Sequence, residues 1–344
     1  MSETLAAEYR QLGKSGLRVS VPILGGMSFG TPAWGGPWIL NEEESLPILK
    51  AAWDLGVTSI DTANTYSNGE AERIVSAFIR KYDIPREKLV IMSKVMFLVS
   101  PDPAVLTVLN PGLNHTRDFV NQGGLSRTAI FNQVEGSLRR LQTSYIDLLQ
   151  IHAFDPTTPI EETMKALHDL IIAGKVRYIG ASNLRAWQLA EMNHVAEKNG
   201  WTPFVSIQVE HSLIYRPEEQ EMFAYCKHKG IGIITYSPLT DGHLARPLGT
   251  ETTRTKCLAG TPFEKPRKES DNVIIKRVEE LATKLQWKMS QVALAWSSSK
   301  VTSPIVGINS VDRLKESIIA GKTLSADDIK YLEEPYEYHP HRFG

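Results

Sequence analysis

The stretch from Tyr145 to Gly200, YIDLLQIHAFDPTTPIEETMKALHDLIIAGKVRYIGASNLRAWQLAEMNHVAEKNG, decides the fold. It opens on a short apolar run, Ile146 to His152, of strand length. Ile160 to Ala173 then repeats apolar residues at three- and four-residue spacing, as a helix does when it buries one face, and Gly174 closes it. Val176 to Ala181 is a second apolar run, and Ala186 to Lys198 a second helical segment ahead of Gly200. Strand, helix, strand, helix in this order predicts parallel strands covered by helices, because a parallel pair needs a long crossover.

The same unit recurs on both sides. Upstream, Val21 to Gly26 precedes a helix over Glu42 to Leu55 with Asn41 as its N-cap. Thr58 to Asp61 precedes Ala71 to Tyr82, and Leu89 to Lys94 precedes Ser126 to Leu141. Downstream, Val205 to Glu210 precedes Glu218 to Lys229, and Ile231 to Tyr236 precedes Asn272 to Gln286 with a further helix over Met289 to Ser299. Pro304 to Gly307 precedes a helix near Val311 to Ala320. These eight units, with strands too apolar to have a wet face, predict an α/β fold of the (β/α)8 barrel type, one domain over 1–344. Tyr9 to Ser20, with Gly13 and Gly16 at a turn, predicts a β-hairpin ahead of the barrel. Two connections, about Val95 to Leu125 and about Leu239 to Asp271, are far longer than a barrel needs. Both follow strands, which puts them on the C-terminal face where barrel sites are built.

Composition narrows the function. Lys plus Arg is 38 and Asp plus Glu is 39, a net charge of -1, which argues against nucleic acid or an anionic membrane as the main partner. Hydrophobic residues at 42% and charged residues at 22% describe a globular chain. Cys226 and Cys257 are the only cysteines, so neither a zinc cluster nor a disulfide framework is expected. Met1 to Arg10 has no apolar leader region, no run is long and apolar enough to span a membrane, and His341 to Gly344 is no lipidation or peroxisomal signal. The expectation is a cytosolic protein. Gly13-Lys14-Ser15 and Gly321-Lys322-Thr323 look like phosphate-loop endings, but Glu8 and Glu316 stand where the leading glycine belongs. His339 and His341 form an HxH on a Pro-containing tail, which reads as solvated surface rather than a metal pair.

Polar residues collect at the strand ends: Asp61, Lys94, His152, Ser182-Asn183, Gln208 and Tyr236-Ser237. Alone, each reads as a buried hydrogen-bonded group or a cap. A closed barrel brings those ends to one rim, where an Asp, a Lys and a His shift one another's pKa values. Tyr66, just past Asp61, reaches the same space. A lysine cation stabilises a phenolate, Asp61 can hold Lys94 charged, and His152 can donate to a substrate oxygen. The set suits an alkoxide developing on a carbonyl. No nucleophile pair or metal-ligand spacing accompanies it.

At this point the chain resembles the aldo-keto reductase superfamily. The resemblance is carried in order by Leu12 to Leu17 (LGKSGL), Gly25 to Gly30 (GGMSFG), Gly56 to Glu72 (GVTSIDTANTYSNGEAE), IMSK ending at Lys94 and YIDLLQIH ending at His152. GKVRYIGASN ending at Asn183, Gln208 to Tyr215, TYSPL ending at Leu239 and SPIVGINSVDRLKES ending at Ser317 continue it. It is nearest to fungal members grouped with aryl-alcohol dehydrogenases and polyketide-pathway reductases. It implies an NADPH-dependent carbonyl reductase with Tyr66 as acid, Lys94 and Asp61 as its tuning pair, and His152 orienting a small carbonyl substrate. It further implies that Gly26 and Met27 line the nicotinamide ribose, that Ser182, Asn183 and Gln208 meet the carboxamide, and that Tyr236 stacks on the nicotinamide. Ser237 and Leu239 would meet the pyrophosphate and Arg254 would lie in the loop that covers the dinucleotide. Ser310, Arg313 and Ser317 would meet the adenosine phosphate, and Glu316 the adenine. The chain departs from the family at Asn64 and Ser67, where an acidic residue and a glycine are common, at Ser317, usually asparagine, and at Thr240-Asp241, usually a glycine-containing turn.

Trp34 and Trp38 lie in the Gly/Pro-rich loop Thr31 to Leu40, on the rim that holds Tyr66, and read as walls of a cleft for an aromatic or bulky carbonyl compound. Two rival readings are a Schiff-base aldolase with Lys94 as nucleophile, and a non-catalytic NADPH-binding regulatory subunit.

Overall fold

The computed structural model describes residues 6–342. The leader reading at residues 1–10 and the tail-signal reading at 341–344 therefore each fall partly outside the described residues. Strands β1 (Glu8–Gln11) and β2 (Arg18–Val21) form an antiparallel hairpin. Then β3 (Ile23–Gly25), β4 (Ser59–Asp61), β5 (Val90–Val95), β6 (Ile146–Ile151), β7 (Val176–Ser182), β8 (Ser206–Glu210), β9 (Gly232–Tyr236) and β10 (Ser303–Gly307) close a parallel barrel in chain order, with β10 returning to β3.

Side chains alternate across each strand, so every second residue enters the barrel. Outward-facing Ile60, Ile91, Leu149, Ile151, Ile179, Ile207 and Val209 join the core under the helices. Inward-facing Ile23, Met92, Leu148, Ile234 and Ile305 pack with Leu12 and Val19 of the hairpin, which stops the lower end of the barrel. The hairpin turn is drawn tightly against the chain before β9. Lys14 N–H donates to Gly230 O at 2.7 Å, and a Cβ on Gly13 would lie 2.4 Å from the same oxygen. The polar strand residues are left to the upper layer.

Helix boundaries follow the capping chemistry. Asn41 Oδ1 accepts from Glu44 N–H and Glu44 Oε2 from Asn41 N–H, each at 3.0 Å, a reciprocal cap that starts the helix Glu42–Asp54. Ser126 caps Arg127–Leu141 in the same position. Three helical segments escape sequence periodicity: Pro32–Gly35, Thr253–Leu258 and Ala326–Glu333. The first two are shorter than two turns and show too few residues for a period.

The tail reading is corrected. His339 is not solvated; it is buried, with Nε2 3.1 Å from Asp271 Oδ1 and its ring beside those of Tyr215 and Tyr336. Asp271 is itself 1% exposed and needs a buried partner, which the folded-back tail supplies. His341 Nδ1 likewise reaches Glu218 Oε1 at 2.9 Å.

Candidate active site

Asp61 ends β4 on the inner face and is 3% exposed. On neighbouring β5, two residues beyond its register partner Met92, stands Lys94, fully buried, whose ammonium donates to Asp61 Oδ2 at 2.6 Å, Thr62 O at 2.9 Å and Tyr66 Oη at 3.1 Å. The other carboxylate oxygen, Oδ1, accepts from Gln208 Nε2 at 2.8 Å and Gln150 Nε2 at 3.1 Å. The Gln208 amide also lies 3.0 Å from Gln150 Oε1. Gln150 escaped the sequence reading, although it lies two residues before His152 and so shares its face of the chain. Gln208, which the resemblance assigns to a carboxamide, thus directs its Nε2 at Asp61 and Gln150.

Burial pushes the Tyr66 phenol above its usual value, Lys94 pulls it back, and the net is upward, so the phenol keeps its proton at neutral pH. Burial favours a neutral Lys94, but Asp61 and then Tyr66 outweigh it and hold the ammonium charged. With its hydrogen bonds committed and its charge stabilised, Lys94 is not the free amine a Schiff base requires. Burial, and next the Lys94 charge, hold His152 well below the usual imidazole range, so it is neutral. Its ring meets Tyr66 edge-on at 5.8 Å and Phe97 at 5.0 Å.

The backbone after Tyr66 is unusual. Ser67, Asn68 and Gly69 take φ of 46°, 51° and 89°, three left-handed residues in succession. Ser67 Oγ accepts from Thr31 N–H at 3.2 Å, and Asn68 holds the long β5 loop, so neighbouring segments keep the Tyr66 turn in this shape.

The remaining expected residues divide into groups. Gly26 and Met27 form a 3-10 turn, and a Cβ on Gly26 would lie 3.0 Å from Asp61 O. Asn183, with φ of 54°, donates to His152 O and Ser182 Oγ, each at 3.1 Å, and accepts from Tyr236 Oη at 2.9 Å. Ser237 Oγ accepts from Lys265 Nζ at 2.9 Å. Leu239, half-buried, packs beside the core. Ser310 caps Val311–Ser317 by accepting from Arg313 N–H, and Arg313 Nη1 donates to Asn309 Oδ1 at 2.6 Å. Ser317 is buried and its hydroxyl donates to Leu314 O at 2.7 Å, so it serves its own helix turn. Arg246 is a residue the sequence reading missed. Burial, and next the charge of Arg313, hold its guanidinium below the usual value while Glu316 opposes them, which groups Arg246, Arg313 and Glu316.

The long loop after β9 meets the loop after β3 over the barrel mouth. Arg254 Nη2 reaches Asp241 Oδ1 at 2.9 Å, and its guanidinium lies 4.6 Å from the Trp38 ring centroid. Trp34 lies 6.4 Å from the Tyr66 ring. The indole N–H groups of Trp34 and Trp38 are buried without partners among the described residues. Cationic side chains at Arg246, Arg254, Lys265 and Arg313, beside the hydroxyls of Ser237 and Ser310, form a donor set that fits the phosphates of a dinucleotide.

A closed parallel barrel therefore holds at its mouth a protonated Tyr, a charged Lys, an Asp and a neutral His, groups able to exchange a proton at one place. The chain belongs to the Aldo/keto reductase family, which it matches over residues 23–337. It is 52% identical over 338 residues to the aldo-keto reductase dtxS3 of Metarhizium robertsii, covering 96% of this chain and 91% of that one. It is 46% identical over 334 residues to the versiconal hemiacetal acetate reductase of Aspergillus parasiticus, covering 96% and 97%. A Schizosaccharomyces pombe protein named after aryl-alcohol dehydrogenases is 47% identical over 347 residues, covering 98% and 97%. Family membership makes the chain an oxidoreductase of small carbonyl compounds. No helix among the described residues is long and apolar enough to cross a membrane.

Proposed function

We propose that this protein is a cytosolic, single-domain reductase that uses NADPH to convert an aromatic or bulky aldehyde or ketone into an alcohol, with Tyr66 as the proton donor. The observation that carries the reading is the Lys94 ammonium, bound at once to Asp61 Oδ2 at 2.6 Å and to Tyr66 Oη at 3.1 Å. When bound, the coenzyme supplies the hydride. Neutral His152 donates a hydrogen bond to the substrate oxygen and fixes its direction. The Tyr66 phenol gives its proton to that oxygen as negative charge develops there. The phenolate left behind is stabilised by Lys94, whose charge Asp61 maintains, and solvent reprotonates it after product leaves. Gln150 and Gln208 hold Asp61 in place. Arg313 and Arg246 would take the 2′-phosphate that distinguishes NADPH from NADH, Arg313 with a planar fork suited to it. Phe97, Trp34 and Trp38 give the mouth flat apolar walls, which favour an aromatic substrate.

The test is Tyr66→Phe, which keeps the ring and removes the proton. Turnover of an aromatic aldehyde, followed by NADPH absorbance, should fall at least about 100-fold, the lower range for a lost general acid, while NADPH still quenches tryptophan fluorescence. A near-normal rate would remove Tyr66 from the role.

A further inference from the structure

The tail that buries His339 continues to a second contact. Arg342 N–H donates to Tyr215 Oη at 2.8 Å, and its guanidinium lies 4.2 Å from the centre of the Tyr215 ring. From there Arg342 Nη1 reaches Glu210 Oε1 at 2.5 Å. Glu210 is the last residue of β8, its side chain only 3% exposed. The same oxygen lies 2.9 Å from Lys265 Nζ. Oε2 of Glu210 has no hydrogen-bond partner among the described residues. Lys265 sits on Ser237 Oγ at 2.9 Å, with Asp241 Oδ2 farther off at 3.5 Å.

One carboxylate oxygen is therefore shared by two cations, one from the loop after β9, the seventh loop of the barrel, and one from the tail. We propose that Lys265 is a ligand of the dinucleotide pyrophosphate and that Arg342 is a positioning residue that sets its strength, acting through Glu210. The inference rests on the coenzyme reading above, which places the pyrophosphate at Ser237. There an arriving anion competes with Glu210 for the Lys265 ammonium. Arg342 and Lys265 together leave one positive charge beyond what Glu210 neutralises. Without Arg342, Glu210 cancels Lys265 and little charge is left for a phosphate. With Glu210 neutral, the local positive charge doubles. Removing two partners of one ion pair thus changes affinity in opposite directions, whereas a merely structural contact would weaken binding whichever partner was lost.

The experiment measures the dissociation constants of NADP+ and NAD+ by quenching of tryptophan fluorescence, on the full chain and its variants. Arg342→Gln is expected to raise both by the same factor, about fivefold, the upper range for a partly exposed ion pair. Both coenzymes move together because the pyrophosphate is common to them, whereas Arg313→Ala should weaken NADP+ alone. Glu210→Gln is expected to lower both constants, and the double variant to bind more tightly than Arg342→Gln. Arg342→Lys keeps the charge and should restore most of the affinity, which guards the test should Glu210→Gln fail to fold. Weakening by both single variants, or no effect of Arg342→Gln, overturns the inference, as does failure of the lysine to rescue. If the unaltered protein binds neither dinucleotide, the coenzyme reading is what fails. The charge argument is then read with inorganic pyrophosphate, whose greater thermal protection of the unaltered chain than of Arg342→Gln would support it and whose equal protection would overturn it.

Discussion

The two long loops on the barrel mouth are held by different chemistry. The loop after β5 is tied down mainly by neutral groups. Asn64 Nδ2 donates to Phe97 O at 2.8 Å, and Gln133 Oε1 accepts from Met96 N–H at 2.7 Å. Asn68 donates to Asp102 O at 3.0 Å and Val105 O at 2.9 Å and accepts from Ser100 N–H at 3.0 Å. The loop after β9 is tied by charge: Asp241 to Arg254 and Lys265, and Lys265 to Glu210. On the proposed function, the difference follows from what each loop faces. Walls around a neutral carbonyl compound gain nothing from nearby charge, and desolvating it would cost energy. A loop that meets phosphates must carry cations, and carboxylates then hold those cations in place until an anion competes for them. The first loop should therefore ignore salt, and the second should respond to it.

The largest effect is expected on the neutral side. Asn68→Ala removes the amide and puts alanine at a φ of 51°. Lost hydrogen bonds and a left-handed alanine together should cost about 3 kcal/mol, read by denaturant unfolding. Asn68→Gly spares the backbone and should cost less. Equal losses would show that the left-handed conformation is not what Asn68 provides.

On the charged side, Asp241→Asn should free the second loop. Trypsin should then cut between residues 246 and 267 about fivefold faster, in line with the loss of a partly buried ion pair. High salt should produce the same acceleration in the unaltered protein and leave cleavage at Arg117, in the first loop, unchanged. Salt-independent cleavage of both loops would erase the contrast.

The third effect concerns the place where the regions touch, at Trp38 and Arg254. Trp34→Ala and Trp38→Ala should raise KM for aromatic aldehydes about threefold relative to short aliphatic ones, by loss of ring contacts. If the two substrate sets respond alike, the indoles only pack the rim.

The smallest effect is a titration. Beside Tyr66 and in the loop after β9 a histidine is kept neutral: His152 by burial and then Lys94, His243 by burial and then Arg267. Their folded pKa values lie below the unfolded value, so the unfolded chain binds more protons as pH falls through about 6.5, and stability declines in that direction. His243→Gln should spare at most roughly 0.7 kcal/mol of the loss between about pH 7 and pH 6. Identical pH dependence of the two proteins would place His243 in a solvated setting.

Much of this site is legible in the chain itself. Asp61, Lys94 and His152 stand at the ends of apolar runs, and barrel closure alone requires that such ends converge. Gln150 was hidden because one amide in an apolar strand reads as tolerated polarity. Arg246, Lys265 and Arg342 gave no signal, since loops and tails carry no period against which a residue can stand out. His339 was misread for the same reason: Pro340 marks irregular chain, and nothing local says that irregular chain folds back over Asp271.

The sequence by itself determined the alternation of strands and helices, the cap at Asn41, and the strand ends that bring Asp61, Lys94 and Gln208 to the barrel. These depend on backbone geometry repeated every two or every 3.6 residues, so a short window contains them. Only the tertiary structure decided which charges meet. Glu210 finds Lys265 and Arg342 across 55 and 132 residues. That meeting requires the barrel to close, the seventh loop to cross its mouth and the tail to return, and no local pattern encodes a contact made by three separate segments.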